Sequence, residues 1–431
     1  MSAYFLYIVL ILATIGLNIV AKRFLQQRWN LWLGCCVPAL IMMLFLWKVS
    51  QPPDQYLFSD FNKAYYPAGR LIFQNPSELY LNSCVAGFVN IPIIGYLFTP
   101  FSLLNLQNAQ ILLVILSMAA VVLTCYLLLK LTNFSGWQRV VVIGLFVANG
   151  PLYYSIRDGN STHFLLPLLL CVFFLLDKKR DIMIGIILAI AALIKIPLFL
   201  LGGYFFLRMR WRVVIAMIAT VLAITGASVL IFGLDLHLTW FQQCIQPYAG
   251  KPVAAYNVQS VDGFLARLLT NDNLLNWNPL VLGWNFKVAR YLLIAVLVGG
   301  TIWVGWRSKS PVTIKAENSE FSMAICLSLL ISPISWTHYY LLLLLPLALY
   351  FGNRLAIPEK KVWFWLIVLS ALLISLPVIR VDNYRPILQL IMSKIVISSY
   401  FFGGVLLLVI LAIGRLQTAQ KAKSLESESV S

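Results

Sequence analysis

Asp60 is the residue around which any chemistry in this chain has to be built. It is a carboxylate near the head of segment 58–100, a long polar and aromatic interruption in a mostly apolar sequence. A carboxylate within reach of an alcohol can take its proton, although Ser59 or Asp60 reads equally well as the N-cap of a following helix. Lys195 is the second such group. It stands before Ile196 and Pro197 inside the apolar run 182–207. A cation at a broken membrane helix suits an anionic group such as phosphate, or else it snorkels to the surface. Arg157, Asp158 and Asn160 share one short polar turn, where Arg157 and Asp158 either meet a substrate or simply pair with each other.

The elements that must hold these groups are membrane helices. Of 431 residues, 61% are hydrophobic and only 11% charged, which excludes an ordinary soluble domain. Long apolar runs select helices over a barrel. Spans are expected at 3–20, 31–48, 107–130, 139–155, 162–176, two halves of 182–207, 213–232, 288–306, 321–333, 338–351, 362–379 and 395–414. The fold class is therefore all-α and polytopic, with about 11–13 transmembrane helices. No positive charge precedes the run 3–20, so it reads as a retained helix and not a signal peptide. Segment 91–104 carries Pro92, Gly95 and Pro100 and should be bent or re-entrant. Phe61, Ala64, Tyr65, Ala68, Leu71 and Ile72 recur at helical spacing, which predicts an amphipathic helix able to lie in the membrane interface. One membrane domain should occupy 1–414, followed by a disordered cytoplasmic tail at 415–431.

The net charge of +17 does not point to nucleic acid. Most Lys and Arg fall in seven short segments between apolar runs (21–30, 130–139, 177–181, 208–212, 307–320, 352–361 and 415–431), as cytoplasmic loops do. The other polar residues gather on the opposite side, so chemistry is expected on the extracytoplasmic face of a multi-pass cell-membrane protein. Nucleotide-activated donors are not expected there, and a lipid carrier would have to deliver the activated group. The seven cysteines form no metal-ligand spacing, and His163, His237 and His338 are far apart in sequence. Cys84 and Cys244 both fall in expected outer loops; a bridge between them is open, since spacing does not fix connectivity.

Five stretches together resemble glycosyltransferase family 87, a branch of the C-type membrane glycosyltransferases. They are SDFNKAYYPAGRLIF, YYSIRDGNSTHFLLPLL, GIILAIAALIKIPLFLL, NVQSVDGFLARLL and LLISPISWTHYYLLLLLPL, in that order between about residues 40 and 350. One departure is visible: the family usually carries Gly-Gln where this chain has Gly159-Asn160. The resemblance implies transfer of a hexose, mannose first among candidates, from a polyprenyl-monophosphate donor to a hydroxyl of a glycolipid or glycan acceptor, with inversion. It implies Asp60 as general base; the lack of a second acid close to Asp60 argues against a DxD metal site, and no cofactor is expected. Lys195, Arg267 and Arg157 would hold the donor phosphate. Tyr66, Arg70, Asp158, Asn160, Asn257, Gln259, Trp336 and His338 would line the substrate site. Each has a plain structural alternative: snorkelling arginines, interfacial aromatics, or an ordered loop at 257–267. A transporter or flippase for a lipid-linked glycan is the competing class. It should show inverted internal repeats, and none is visible.

Overall fold

The computed structural model describes residues 39–40, 57–81, 87–132, 134, 136–308, 313–376 and 386–430. The spans expected at 3–20 and, apart from residues 39–40, at 31–48 lie outside them. In chain order the helices are α1 Tyr66–Gln74, α2 Leu106–Leu131, α3 Gly136–Val147, α4 Gly150–Arg157, α5 Leu165–Asp177, α6 Asp181–Ile194, α7 Leu200–Leu207 and α8 Trp211–Phe232. There follow α9 Leu234–Trp240, α10 Val261–Leu269, α11 Trp284–Arg307, α12 Ile314–Ile331, α13 Leu344–Phe351, α14 Lys361–Ser375, α15 Pro386–Lys394 and α16 Ser399–Val430. The all-α polytopic class holds.

Full-length spans are fewer than expected. Among the described residues four helices are long and apolar enough to cross a membrane, the segments Leu106–Leu131, Trp211–Phe232, Trp284–Arg307 and Leu390–Ala422. The pair α3 and α4, bent by 43°, makes a fifth if counted as one span. The bend falls at Asn149-Gly150-Pro151, where the Asn149 side chain accepts the Leu152 N–H at 2.8 Å and restarts the helix. The spans expected at 162–176, in the two halves of 182–207, at 338–351 and at 362–379 appear as short apolar helices, and 321–333 falls within α12. The break in 182–207 is where Pro197 predicts it: Lys195 is extended (φ −137°, ψ 100°), and a 3-10 turn Ile196–Phe199 leads into α7.

The short helices define two ends of the molecule. At one end, Asp181 at the start of α6 pairs with Arg210, which also reaches Glu317 at 3.4 Å. Arg208 Nε donates to Glu320 at 2.7 Å, Arg415 Nε donates to the other Glu320 oxygen at 3.1 Å, and Arg354 pairs with Asp177. Helices α5, α6 and α12 run from this charged end to the end that holds His163, Lys195 and His338. Joining Asp181 to Arg210 brings both feet of the α6–α7 hairpin to one side, as the basic residues at both ends of 182–207 imply.

One expectation needs correction. The amphipathic segment forms, as a π turn Phe61–Tyr65 continued by α1, but its apolar face is docked on protein instead of lying free in lipid. Phe61, Ala64, Tyr65, Ala68 and Ile72 are buried, with Tyr65 stacked on Phe98 at 4.5 Å. Gly69 permits the approach, because a Cβ there would lie 2.4 Å from the Phe98 carbonyl oxygen. The bent segment 91–104 supplies the opposing wall as a 3-10 stretch Pro92–Phe98 and a turn Thr99–Ser102. In the tail, α16 continues to Val430. Residues 416–426 are mostly Leu, Gln, Ala, Lys and Glu, which favour helix without being apolar, and buried Arg415 anchors the turn they extend.

Glu320 neutralises two arginines in a water-poor environment. Replacing it by Gln leaves Arg208 and Arg415 short of a counter-charge, and losing one partner of a buried pair costs about 3–5 kcal/mol. Glu320→Gln should therefore lower the thermal unfolding midpoint in detergent sharply; an unchanged midpoint would show that these pairs do not hold the charged end together.

Candidate functional site

The site begins with a backbone seam. Phe58 N–H donates to the Arg157 carbonyl at 2.7 Å, and Asp60 N–H donates to the Asp158 carbonyl at 2.8 Å. Gly159 lets the two segments close. Its φ is +68°, and a Cβ there would fall 2.6 Å from the Phe61 Cβ. Arg157 and Asp158 thus enter the site through main-chain carbonyls.

Asp60 is not an N-cap. Its backbone is already helical (φ −69°, ψ −41°), and its side chain makes no capping bond. Instead its Oδ2 accepts from Asn160 Nδ2 at 2.7 Å. Burial pushes the Asp60 carboxyl above its ordinary value, while the Asn160 hydrogen bond and the charges of Lys195 and Lys63 pull the other way. Tyr65 lies beside it; burial and then the Asp60 charge raise the phenol, which stays protonated and bonds to Ser161.

Lys195 is 6% exposed and lies within electrostatic reach of Asp60. Its Nζ sits 4.9 Å from the ring centroid of Tyr339. The 3-10 turn Thr337–Leu343, which follows α12, supplies Tyr339 and also His338. His338 is buried, lies near Lys195 and His163, and its Nε2 has no hydrogen-bond partner. A buried polar atom left without a partner costs free energy, so this nitrogen is available to a ligand. His163 behaves differently. Its Nδ1 meets Ser155 Oγ and its Nε2 meets Ser117 Oγ, both at 2.9 Å. Ser117 already donates to the Leu113 carbonyl, so it accepts from Nε2–H; both ring nitrogens are spent and the imidazole is neutral.

The fold therefore gathers Asp60, Asn160, Lys195 and His338 of the expected set. It adds Tyr339, His163 and Thr162, which sequence reasoning missed; a histidine three residues beyond Asn160 in one polar stretch was the available signal. Several expected residues have other work. Arg267 is buried, with its guanidinium donating to the Ala255 and Val258 carbonyls and to Ser398 Oγ at 2.7–3.2 Å, which ties it to the scaffold. Gln259 bonds to the Tyr256 and Ile397 carbonyls and to the Phe401 N–H. Asn257 accepts from Trp277, and Trp336 forms a single antiparallel bridge with Val258. Tyr66 donates to the Leu104 carbonyl, and exposed Arg70 to Gln74. Polar loop residues with backbone partners look the same in sequence as residues that await a ligand.

Residues 88–333 match the model of glycosyltransferase family 87, and the chain belongs to that family. It is accordingly a membrane glycosyltransferase, which sets aside the transporter reading. The matched span contains Asn160 and Lys195; Asp60 and His338 flank it. No curated protein matches the chain.

Since Arg267 holds backbone together, Arg267→Ala should reduce folded yield and unfolding temperature. In whatever folded fraction survives, the donor KM should stay near that of the unaltered protein. A folded variant with only a raised donor KM would return Arg267 to the binding site.

Proposed function

We propose that this glycosyltransferase moves a hexose, with mannose as first candidate, from a polyprenyl monophosphate to a hydroxyl of a glycolipid or glycan acceptor. The reaction inverts the anomeric centre. The observation that carries the reading is the convergence of one acid, Asp60, with a buried cation, Lys195, and an unpartnered imidazole nitrogen of His338.

In this reading the acceptor hydroxyl lies against Asp60 and its oxygen attacks the anomeric carbon from the side opposite the phosphate. The new C–O bond forms as the bond from that carbon to the phosphate oxygen breaks. Asp60 takes the hydroxyl proton. The bonding pair leaves with the lipid phosphate, whose charge Lys195 offsets in a low-dielectric recess. His338, in the tautomer with its proton on Nε2, donates to a phosphate oxygen. A phosphate is a stable leaving anion, so no strong acid is required opposite Asp60. Neighbouring aromatic rings such as Tyr339 offer faces for a sugar.

Two observations support an extracytoplasmic site. The ion-paired basic loops lie at the far end of α5, α6 and α12, as the positive-inside rule expects of the cytoplasmic side. Cys244, in the π turn Phe241–Ile245 that follows α9, is disulfide-bonded, which fits an oxidising compartment. Cys84, the partner considered from sequence, lies outside the described residues.

The test is to offer the purified protein a panel of polyprenyl-monophosphate hexoses and the matching diphosphates. Turnover of a monophosphate is expected, and exclusive use of a diphosphate would overturn the donor class. Asp60→Asn, folded, should lose about 10²–10⁴-fold in turnover; full activity would remove the base assignment. Lys195→Met should weaken donor use far more than acceptor use. Asp60 must be ionised to act, and its carboxyl is raised by burial, so the rate should fall on acidification at a pH above the ordinary carboxylate range.

A further inference from the structure

We propose that Thr162 is a positioning residue that sets the working state of Asp60 through Asn160. The consequence for catalysis rests on Asp60 being the base; the three-residue chain does not.

A primary amide is nearly symmetric in shape, so packing alone does not decide which end faces a carboxylate. The NH₂ end attracts it and the oxygen end repels it. What decides the matter is the partner of the other end. Asn160 Oδ1 accepts two hydrogen bonds from one residue, from the Thr162 backbone N–H at 3.1 Å and from the Thr162 hydroxyl at 2.8 Å. With its oxygen held there, the amide presents Nδ2 to Asp60 Oδ2 at 2.7 Å. Asn160 is 4% exposed and Thr162 fully buried, so water does not replace either bond readily. The arrangement occupies one carboxylate oxygen and leaves Oδ1 for an acceptor hydroxyl.

A donor on a carboxylate favours its ionised form. The other groups that face Asp60 are Lys63 on its own segment, Lys195 at the α6 break, Tyr65 and Tyr339. The two lysines act in the same sense as Asn160, and burial opposes all three. The closed turn at Gly159 brings the Asn160 amide to Asp60.

The test reads Asp60 directly. Infrared titration of the full-length protein in lipid nanodiscs, with the Asp60 carboxylate band assigned by difference from Asp60→Asn, needs no substrate. Asn160→Ala should shift the Asp60 titration to higher pH. Thr162→Val should shift it in the same direction, and Thr162→Ser, which keeps the hydroxyl, should restore it. The double variant Thr162→Val/Asn160→Ala should move it no further than Asn160→Ala alone, because Thr162 acts through Asn160. If Thr162→Val does not fold, Thr162→Ala makes the same comparison. An unmoved titration on loss of the hydroxyl, or additive shifts in the double variant, would overturn the proposal. Full turnover in Asp60→Asn would instead remove the base assignment and leave the infrared result standing, so the two failures are distinguishable.

Discussion

The whole site depends on two short stretches of backbone lying side by side, 58–61 and 157–160. Their hydrogen bonds are ordinary in strength, yet they decide where Asp60 stands relative to everything on the helices. Asp60 lies on no membrane helix. It is brought to Lys195 only because the segment before α1 is laid against the turn after α4, and because Gly159 lets that turn close. A carboxylate so placed is held by its neighbours, the Asp158 carbonyl at its N–H and the Asn160 amide at its Oδ2. Pre-organised charge of this kind requires little rearrangement when a reaction begins.

The rest of the helical frame serves this seam from a distance. Helices α5, α6 and α12 each begin or end at the ion-paired face and carry a site residue near their other end. The α6–α8 packing is very close, since a Cβ on Gly185 would lie 2.4 Å from the Val213 carbonyl oxygen. Small residues at such crossings let membrane helices approach and fix their height relative to one another. Lys195 therefore inherits its position from pairs such as Asp181–Arg210 at the opposite end of α6.

What was legible in sequence was whatever leaves a periodic or steric mark. The stripe from Phe61 to Ile72 marks a buried face whether the covering surface is lipid or protein, so the helix was readable and its partner was not. Pro197 marks a break without tertiary information. Asn160 and Thr162 leave no such mark; their meaning lies in which end of an amide is occupied, a fact of three-dimensional neighbours. Arg267 is no more legible. A guanidinium satisfied by the Ala255 and Val258 carbonyls has the same sequence surroundings as one awaiting phosphate. Arg415 sits where hydropathy falls, so it read as the start of a tail, although Glu320 draws it into the interior.

The shortness of α5 and α6 has a further consequence. Their 13 and 14 residues rise only about 20 Å, against a hydrocarbon layer of about 30 Å. With the charged feet of these helices at one interface, the floor formed by Lys195 lies below the level of the opposite headgroups. Surrounding lipid must then thin toward the protein, or a water-filled dip must reach inward. Were the donor lipid-linked, as proposed above, either geometry would let its tail stay among the acyl chains while its headgroup sank toward the lysine, and bilayer thickness would become a property the enzyme feels.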